Sequence, residues 1–187
     1  MPYNPAIHHR RSIRLKGYDY SQAGMYFVTI CVQNRACLFG EIIDGNMVLN
    51  DVGQIVEKWY LELSHKFSDI VTDTYIVMPN HFHAIFVNNG GDDVGADLRV
   101  CPDILGEHNI LGEHTGSPLH AVVQWFKTMT TNEYICGVKT LGWQTFDKKL
   151  WQRNYWEHII RNEQSYQRIT NYITNNPMKW KNDKFYM

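Results

Sequence analysis

The chain has 187 residues, 44% of them hydrophobic, 20% charged and 13% aromatic, which is globular composition with length for one proper core. No run approaches the ~20 apolar residues of a membrane-spanning helix, and the N-terminus lacks the apolar stretch of a signal peptide, so neither is expected. Four cysteines without a Cys-x-x-Cys pair point to a reduced, cytosolic setting, and a formal net charge of -1 argues against a uniformly basic nucleic-acid-binding surface.

The opening residues carry Arg10, Arg11, Arg14 and Lys16 against Asp19, a local +3 over residues 1–20. Residues 25–34 alternate and are rich in β-formers, predicting a first strand. Residues 37–49 read as a hairpin turning at Asp44-Gly45, a favoured two-residue turn. Asn50 suits the cap of a helix running to about residue 65, with Val52, Ile55, Val56 and Trp59 on one face. Strands are predicted at about 71–78 and 81–88, joined through Pro79-Asn80. A mobile loop rich in Gly and Asp follows at about 89–117, and residues 88–116 hold a local charge of -5. Inside it Ile104-Leu105-Gly106-Glu107-His108 recurs as Ile110-Leu111-Gly112-Glu113-His114, a local duplication to which no chemistry is assigned. A helix over about 119–135, with Val122, Val123, Phe126 and Met129 as its apolar stripe, precedes a short strand near 150–156. This order fits a single domain over residues 1–187, an α+β sandwich with helices on one side of an antiparallel sheet.

The last helix is the best defined. Asn162 suits its N-cap, and Glu163 its first turn, where the helix dipole favours negative charge. Tyr166, Ile169, Thr170 and Ile173 recur at i, i+3, i+4 and i+7, the buried stripe of an amphipathic helix. Pro177 disfavours helical geometry before it, so the helix ends around Asn175 or Asn176. Tyr172 and Asn176, four apart, share a face at the flank of the stripe. Taken alone, Tyr172 reads as half-buried core with its hydroxyl in water, and Asn176 as an ordinary C-cap.

The most unusual run is Tyr75 to Phe86. Strand alternation turns His81 and His83 to one side and Phe82 to the other. Neutral imidazole is the commonest protein metal ligand, so the pair is half of a metal site. Without further ligands a His-x-His pair more often marks a solvated or hydrogen-bonded strand edge.

Four blocks in order supply the missing context: His81-Phe82-His83, Trp151-Gln152-Arg153, Trp156-Glu157-His158-Ile159-Ile160-Arg161, and Asn171-Tyr172-Ile173 followed by Asn176-Pro177. Over nearly the whole chain they resemble the signature of the REP-associated tyrosine transposases, a branch of the single-tyrosine HUH transposases of insertion sequences. The opening Arg10-Arg11-Ser12-Ile13-Arg14-Leu15, with Tyr18-Asp19-Tyr20 and Tyr26-Phe27-Val28-Thr29-Ile30, is similar to one branch of these proteins. The resemblance implies a ferredoxin-like HUH endonuclease palm, with the histidine strand central and facing the last helix. It implies Tyr172 as nucleophile, and His81, His83 and Asn176 as ligands of a divalent metal, Mg²⁺ or Mn²⁺. Asparagine at that position departs from the glutamine of mobile insertion-sequence members and agrees with the REP-associated branch.

The implied reaction is metal-dependent transesterification of single-stranded DNA bearing hairpins or palindromic repeats. Tyr172 would form a 5′-phosphotyrosine and release a 3′-hydroxyl, which needs no ATP and accords with the absence of a Walker-type glycine loop. A phenol ionises near pH ~10, so such a nucleophile needs help, and a cation held by histidines can polarise the phosphate. The DNA-contacting candidates are Arg10, Arg11, Arg14, Lys16, Arg153, His158 and Arg161. The resemblance also implies a monomer or homodimer in the cytosol, nucleoid-associated when bound to DNA, with no membrane partner. The alternatives are a DNA-binding protein that has lost catalysis, or an unrelated His-x-His metallohydrolase. The latter needs a carboxylate or third histidine by the pair, and Asp73 is the only acid nearby in sequence.

Charge is polarised despite the net value. Residues 143–187 hold eight Lys and Arg against four acids, a local +4 around Tyr172. Trp143, Trp151, Tyr155, Trp156 and Trp180 interleave this segment; some can stack on unpaired bases, while most large aromatics belong to a core. With only eleven residues after Asn176, a contribution from a long C-terminal tail is not expected.

Overall fold

Extended segments with alternating side chains pair into one antiparallel sheet in the computed structural model, which describes Leu15, residues 17–90 and residues 117–186. Arg10, Arg11, Arg14 and Lys16, and the repeat at 104–114, lie outside the described residues. The elements in chain order are β1 (Gly24–Cys31), β2 (Gly40–Ile43), β3 (Asn46–Leu49), α1 (Asp51–Leu61), α2 (Leu63–Lys66), β4 (Ile70–Met78), β5 (His81–Asn88), α3 (Leu119–Leu141), β6 (Trp156–Ile160) and α4 (Glu163–Thr174), with a 3-10 segment at Pro177–Asn182. The main sheet has the order β4-β5-β1-β6, with every neighbouring pair antiparallel. Apart from the β2-β3 hairpin, strands and long helices follow the β-α-β-β-α-β sequence of a ferredoxin-like fold. The fold is α+β, with β5 an inner strand.

Local signals account for most boundaries. Asp44 and Gly45 both take positive φ, 49° and 77°, the backbone that a tight hairpin turn needs. Asn50 caps α1, its side chain accepting from the Gly53 amide at 2.9 Å. Gly53 is required there, because a Cβ would lie 2.2 Å from the Phe39 carbonyl. Asn162 caps α4 by accepting from the Ser165 amide at 2.8 Å. A tight turn sets the hairpin, and side-chain caps start α1 and α4, as the sequence predicts.

Three expectations are corrected. The strand expected near 150–156 is β6, at Trp156–Ile160, and Trp151 makes only an isolated bridge with Val32. Trp151 is drawn inward instead: its ring packs against Phe39 and Phe126, and its Nε1 donates to Thr130 Oγ1 at 2.8 Å. The second correction concerns layering. Helices cover both sides of the sheet, not one. Tyr26, Val28, Phe82 and Phe86 join Val56, Tyr60, Val122 and Phe126 beneath α1 and α3. Ile85 and Ile160 pack on the opposite side against Ile169 and Ile173 of α4. The stripe of α4 demands an apolar partner, and the faces under α1 and α3 are already filled. α3 also runs to Leu141, beyond the expected end near 135, stopping where Gly142 takes a left-handed φ of 71°.

Candidate active site

The histidine pair belongs to the α4 side of β5. Alternation sends Phe82 into the α1/α3 layer and leaves His81 and His83 facing the other way, both fully buried. This is not a solvated strand edge. Neighbouring side chains orient the rings. Asn80 Oδ1 lies 2.9 Å from His81 Nδ1, and Thr29 Oγ1, directly across on β1, lies 2.8 Å from His83 Nδ1. Accepting by Asn80 places the proton of His81 on Nδ1 and leaves Nε2 bare. The two Nε2 atoms converge at 3.0 Å.

Burial keeps both rings neutral. It pulls His81 down to about 4, helped by the cations Lys184 and Arg35 and opposed by Asp183. His83 lies well below the usual imidazole range, first through burial and then through His81 and Lys184 beside it. Neutral imidazoles with converging nitrogen lone pairs are the protonation state that ligates a metal. Two nitrogens each about 2.1 Å from an ion and at right angles stand about 3.0 Å apart.

Tyr172 arrives from α4. Its hydroxyl lies 3.2 Å from His83 Nε2, and its ring meets Phe27 edge-on at 6.0 Å. The side chain is 40% exposed, so it is neither core nor simply solvated. Burial pushes its phenol up to about 12, with the negative charge of Asp183 adding and a hydrogen bond with Asn176 opposing. Asn176 lies one residue beyond the C-cap, which is Asn175, and is buried. Its Nδ2 donates to Asp183 Oδ2 at 3.2 Å, while its Oδ1 is buried with no partner among the described residues. A buried acceptor without a donor is costly unless a ligand completes it.

Asp183 is the residue that sequence reasoning missed. Donor atoms of His81, His83 and Asp183 all lie within 4.8 Å of one another, so the three could hold a metal ion. This nitrogen-and-oxygen set, with the orphaned Asn176 oxygen beside it, fits a divalent cation. Asp73, the acid nearest in sequence, instead accepts from Tyr166 Oη at 3.1 Å. The residues after Asn176 form a wall of the site. Pro177 turns the chain back, Phe185 stacks 4.6 Å from His81, and Asn80 Nδ2 donates to the Phe185 carbonyl at 2.9 Å. The only sequence signal for this return was Pro177 itself. Beside the cluster is a cavity of about 480 Å³, lined among others by Phe27, Thr29, Tyr172, Asn176, Lys179 and Lys184.

The other candidates separate. His158 and Arg161 share a depression of about 330 Å³ at the start of α4, with Arg168. Arg153 lines a different groove of about 670 Å³ beside α3, with Lys127, Lys148 and Lys149. It does not converge on the histidines, because residues 150–155 follow α3 instead of entering the sheet. No helix among the described residues is long and apolar enough to cross a membrane.

No protein-family model matches the chain. It is 37% identical over 194 residues to an uncharacterized protein of Haemophilus influenzae, covering 99% of this chain and 97% of that protein, and belongs to one family with it. It is 23% identical over 166 residues to the REP-associated tyrosine transposase of Escherichia coli, covering 86% of this chain and 70% of that one. Its fold is similar to a solved REP-associated tyrosine transposase bound to a REP hairpin, with a TM-score of 0.56 at 20% identity, over 90% of this chain and 74% of the other.

Proposed function

We propose that this single-domain chain is a transposase-like enzyme of the REP-associated tyrosine type, cutting and rejoining single-stranded DNA through Tyr172. One observation carries the reading: a tyrosine hydroxyl 3.2 Å from a buried metal-competent histidine, with a second histidine, a carboxylate and an orphaned amide oxygen around it. The relatives' names and the hairpin held by the solved one support DNA with hairpin or palindromic repeats as substrate.

In this reading His81 and His83, with Asp183 and the Asn176 oxygen, hold a divalent cation, Mg²⁺ or Mn²⁺. When bound, that ion supplies Lewis-acid polarisation of the scissile phosphate. Tyr172 Oη forms a bond to phosphorus as the bond from phosphorus to the 3′ oxygen breaks. The phenol gives up its proton and the departing oxygen takes one up. The product is a 5′-phosphotyrosine and a free 3′-hydroxyl, which can attack in turn, so strands rejoin without ATP. Burial holds the Tyr172 phenol up at about 12, so in the resting site it stays neutral and unreactive toward stray electrophiles. Thr29 and Asn80 fix the imidazoles so that both Nε2 atoms point to one place. His158, Arg161 and Arg153, together with Arg10, Arg11, Arg14 and Lys16, supply contacts to DNA.

The test is covalent capture. Labelled single-stranded DNA with palindromic repeats from the gene's own flanks is incubated with the protein and Mg²⁺ or Mn²⁺, then run on a denaturing gel. A metal-requiring adduct that vanishes in Tyr172→Phe and in His81→Ala is expected. An adduct that survives Tyr172→Phe sinks the assignment of the nucleophile. DNA binding without any adduct favours a protein that has lost catalysis.

A further inference from the structure

β6 places a tryptophan beside this site that nothing in the fold requires. Trp156 is 60% exposed. Of the six tryptophans, it alone packs against no other ring among the described residues. A side chain of this size normally buries most of its surface, so an uncovered indole on an edge strand contributes little to folding. Its position is specific. Thr29 pairs across the sheet with His83 on one side and with Trp156 on the other, so all three share a face. Two strand spacings separate its backbone from that of His83 by about 10 Å, on the face that α4 and Tyr172 cover.

The charges on either side line up with it. Phe27 and Thr29 belong to the cavity with Tyr172, Lys179 and Lys184. Phe27 pairs in register with His158, which belongs to the depression with Arg161 and Arg168. Neither arginine makes an ion pair among the described residues. Trp156 therefore lies between that cavity, where Asp183 offsets one of the two lysines, and the basic depression of Arg161 and Arg168, at the point where β1 meets β6.

Resting on the function proposed above, we infer that Trp156 is the stacking platform for an unpaired base next to the scissile phosphate. The strand runs from the Lys179 and Lys184 side, past Tyr172, across β1 and onto β6, toward Arg161 and Arg168. An indole face accepts any base, so it sorts single strands from duplex, whose bases are already stacked, without reading sequence. Arg161 and Arg168 meet phosphates, a contact that positions the strand and carries no sequence information.

The test uses the full chain with Tyr172→Phe, so that binding is read without cleavage. A fluorescein-labelled oligonucleotide carrying one palindromic repeat with unpaired flanks is titrated, in parallel with the same oligonucleotide annealed to its complement. Trp156→Ala should weaken single-strand binding about tenfold and leave the duplex unchanged. Trp156→Phe should bind close to the parent but lose part of the tryptophan quenching that the single strand causes. Arg161→Ala should weaken binding to any sequence and lower the salt slope by about one. Parent-like single-strand binding by Trp156→Ala overturns the platform, while an adduct in the Tyr172 chain leaves the function standing. Equal loss on both DNAs with a lowered melting temperature means a structural role and also overturns it. Neither binding nor adduct in any variant overturns both.

Discussion

Strand β5 sends Phe82, Ala84 and Phe86 toward α1 and α3, and His81, His83 and Ile85 toward α4. On the first side, rings close over one another: Phe82 lies 5.2 Å from Tyr60 and 5.1 Å from Phe126. Tyr60 is tied off in that layer, its Oη donating to the Ile85 carbonyl at 2.6 Å, whereas Glu157, in register with Val28, has a buried carboxylate oxygen with no partner among the described residues. On the other side two imidazole nitrogens converge and an amide oxygen is left without a donor. One side is assembled mainly by the hydrophobic effect. The other holds polar groups in fixed positions, one of them a buried acceptor without a donor among the described residues. The lesson is that a rigid apolar layer behind the strand lets the front carry a cluster that would not hold its geometry alone.

The sharpest test of that division is Tyr172→Phe. It should abolish the covalent adduct while shifting the urea-derived stability by less than about 1 kcal/mol, since one half-exposed hydroxyl is removed. A large loss of stability would make the tyrosine a packing residue after all. Phe82→Ala probes the back layer, and a cost of about 3–5 kcal/mol in urea unfolding is expected. Under conditions where this variant remains folded, Mn²⁺ binding should persist; if it disappears, the two sides are not separable. Thr29→Val keeps volume but removes the partner of His83 Nδ1. Calorimetric titration should find Mn²⁺ affinity lower by about 10- to 100-fold, with stability lower by about 1–3 kcal/mol because His83 Nδ1 is left buried without its partner. Unaltered affinity would show that β1 does not orient the ligand.

The smallest effect concerns the back layer's buried ammonium. Lys127 donates to the carbonyls of Gln152 at 2.9 Å and Arg153 at 3.3 Å and faces the Tyr155 ring. Burial pulls it from 10.5 down to about 8, with Cys31 opposing. Between those values the unfolded chain binds the extra proton, so this group adds stability as pH rises from about 8 toward 10.5. Urea midpoints across that range should lose this upward slope in Lys127→Met. An identical slope would place the titrating group elsewhere.

Much of the site's local grammar was legible. The alternation around Phe82, the Asn162 cap and the break at Pro177 each depend on a few neighbouring residues, and each is found as expected. Asp183 was not legible. No periodicity marks it, and it meets the histidines only because the 3-10 segment folds back over β5. The placing of Arg153 was not legible either. It sits in a basic segment near Tyr172 in sequence, yet Trp151 anchors that segment against α3.

The sequence by itself determined most of the elements, the place of β6 and the end of α3 excepted, and which side of a strand or helix a residue occupies, because side-chain alternation, capping and turn chemistry act over a few bonds. Only the tertiary structure decided the order β4-β5-β1-β6, the placing of α4 on the side opposite α1 and α3, and the meeting of His83 with Tyr172 and Asp183. Those follow from how whole apolar surfaces find covers, and no short stretch of chain contains that information.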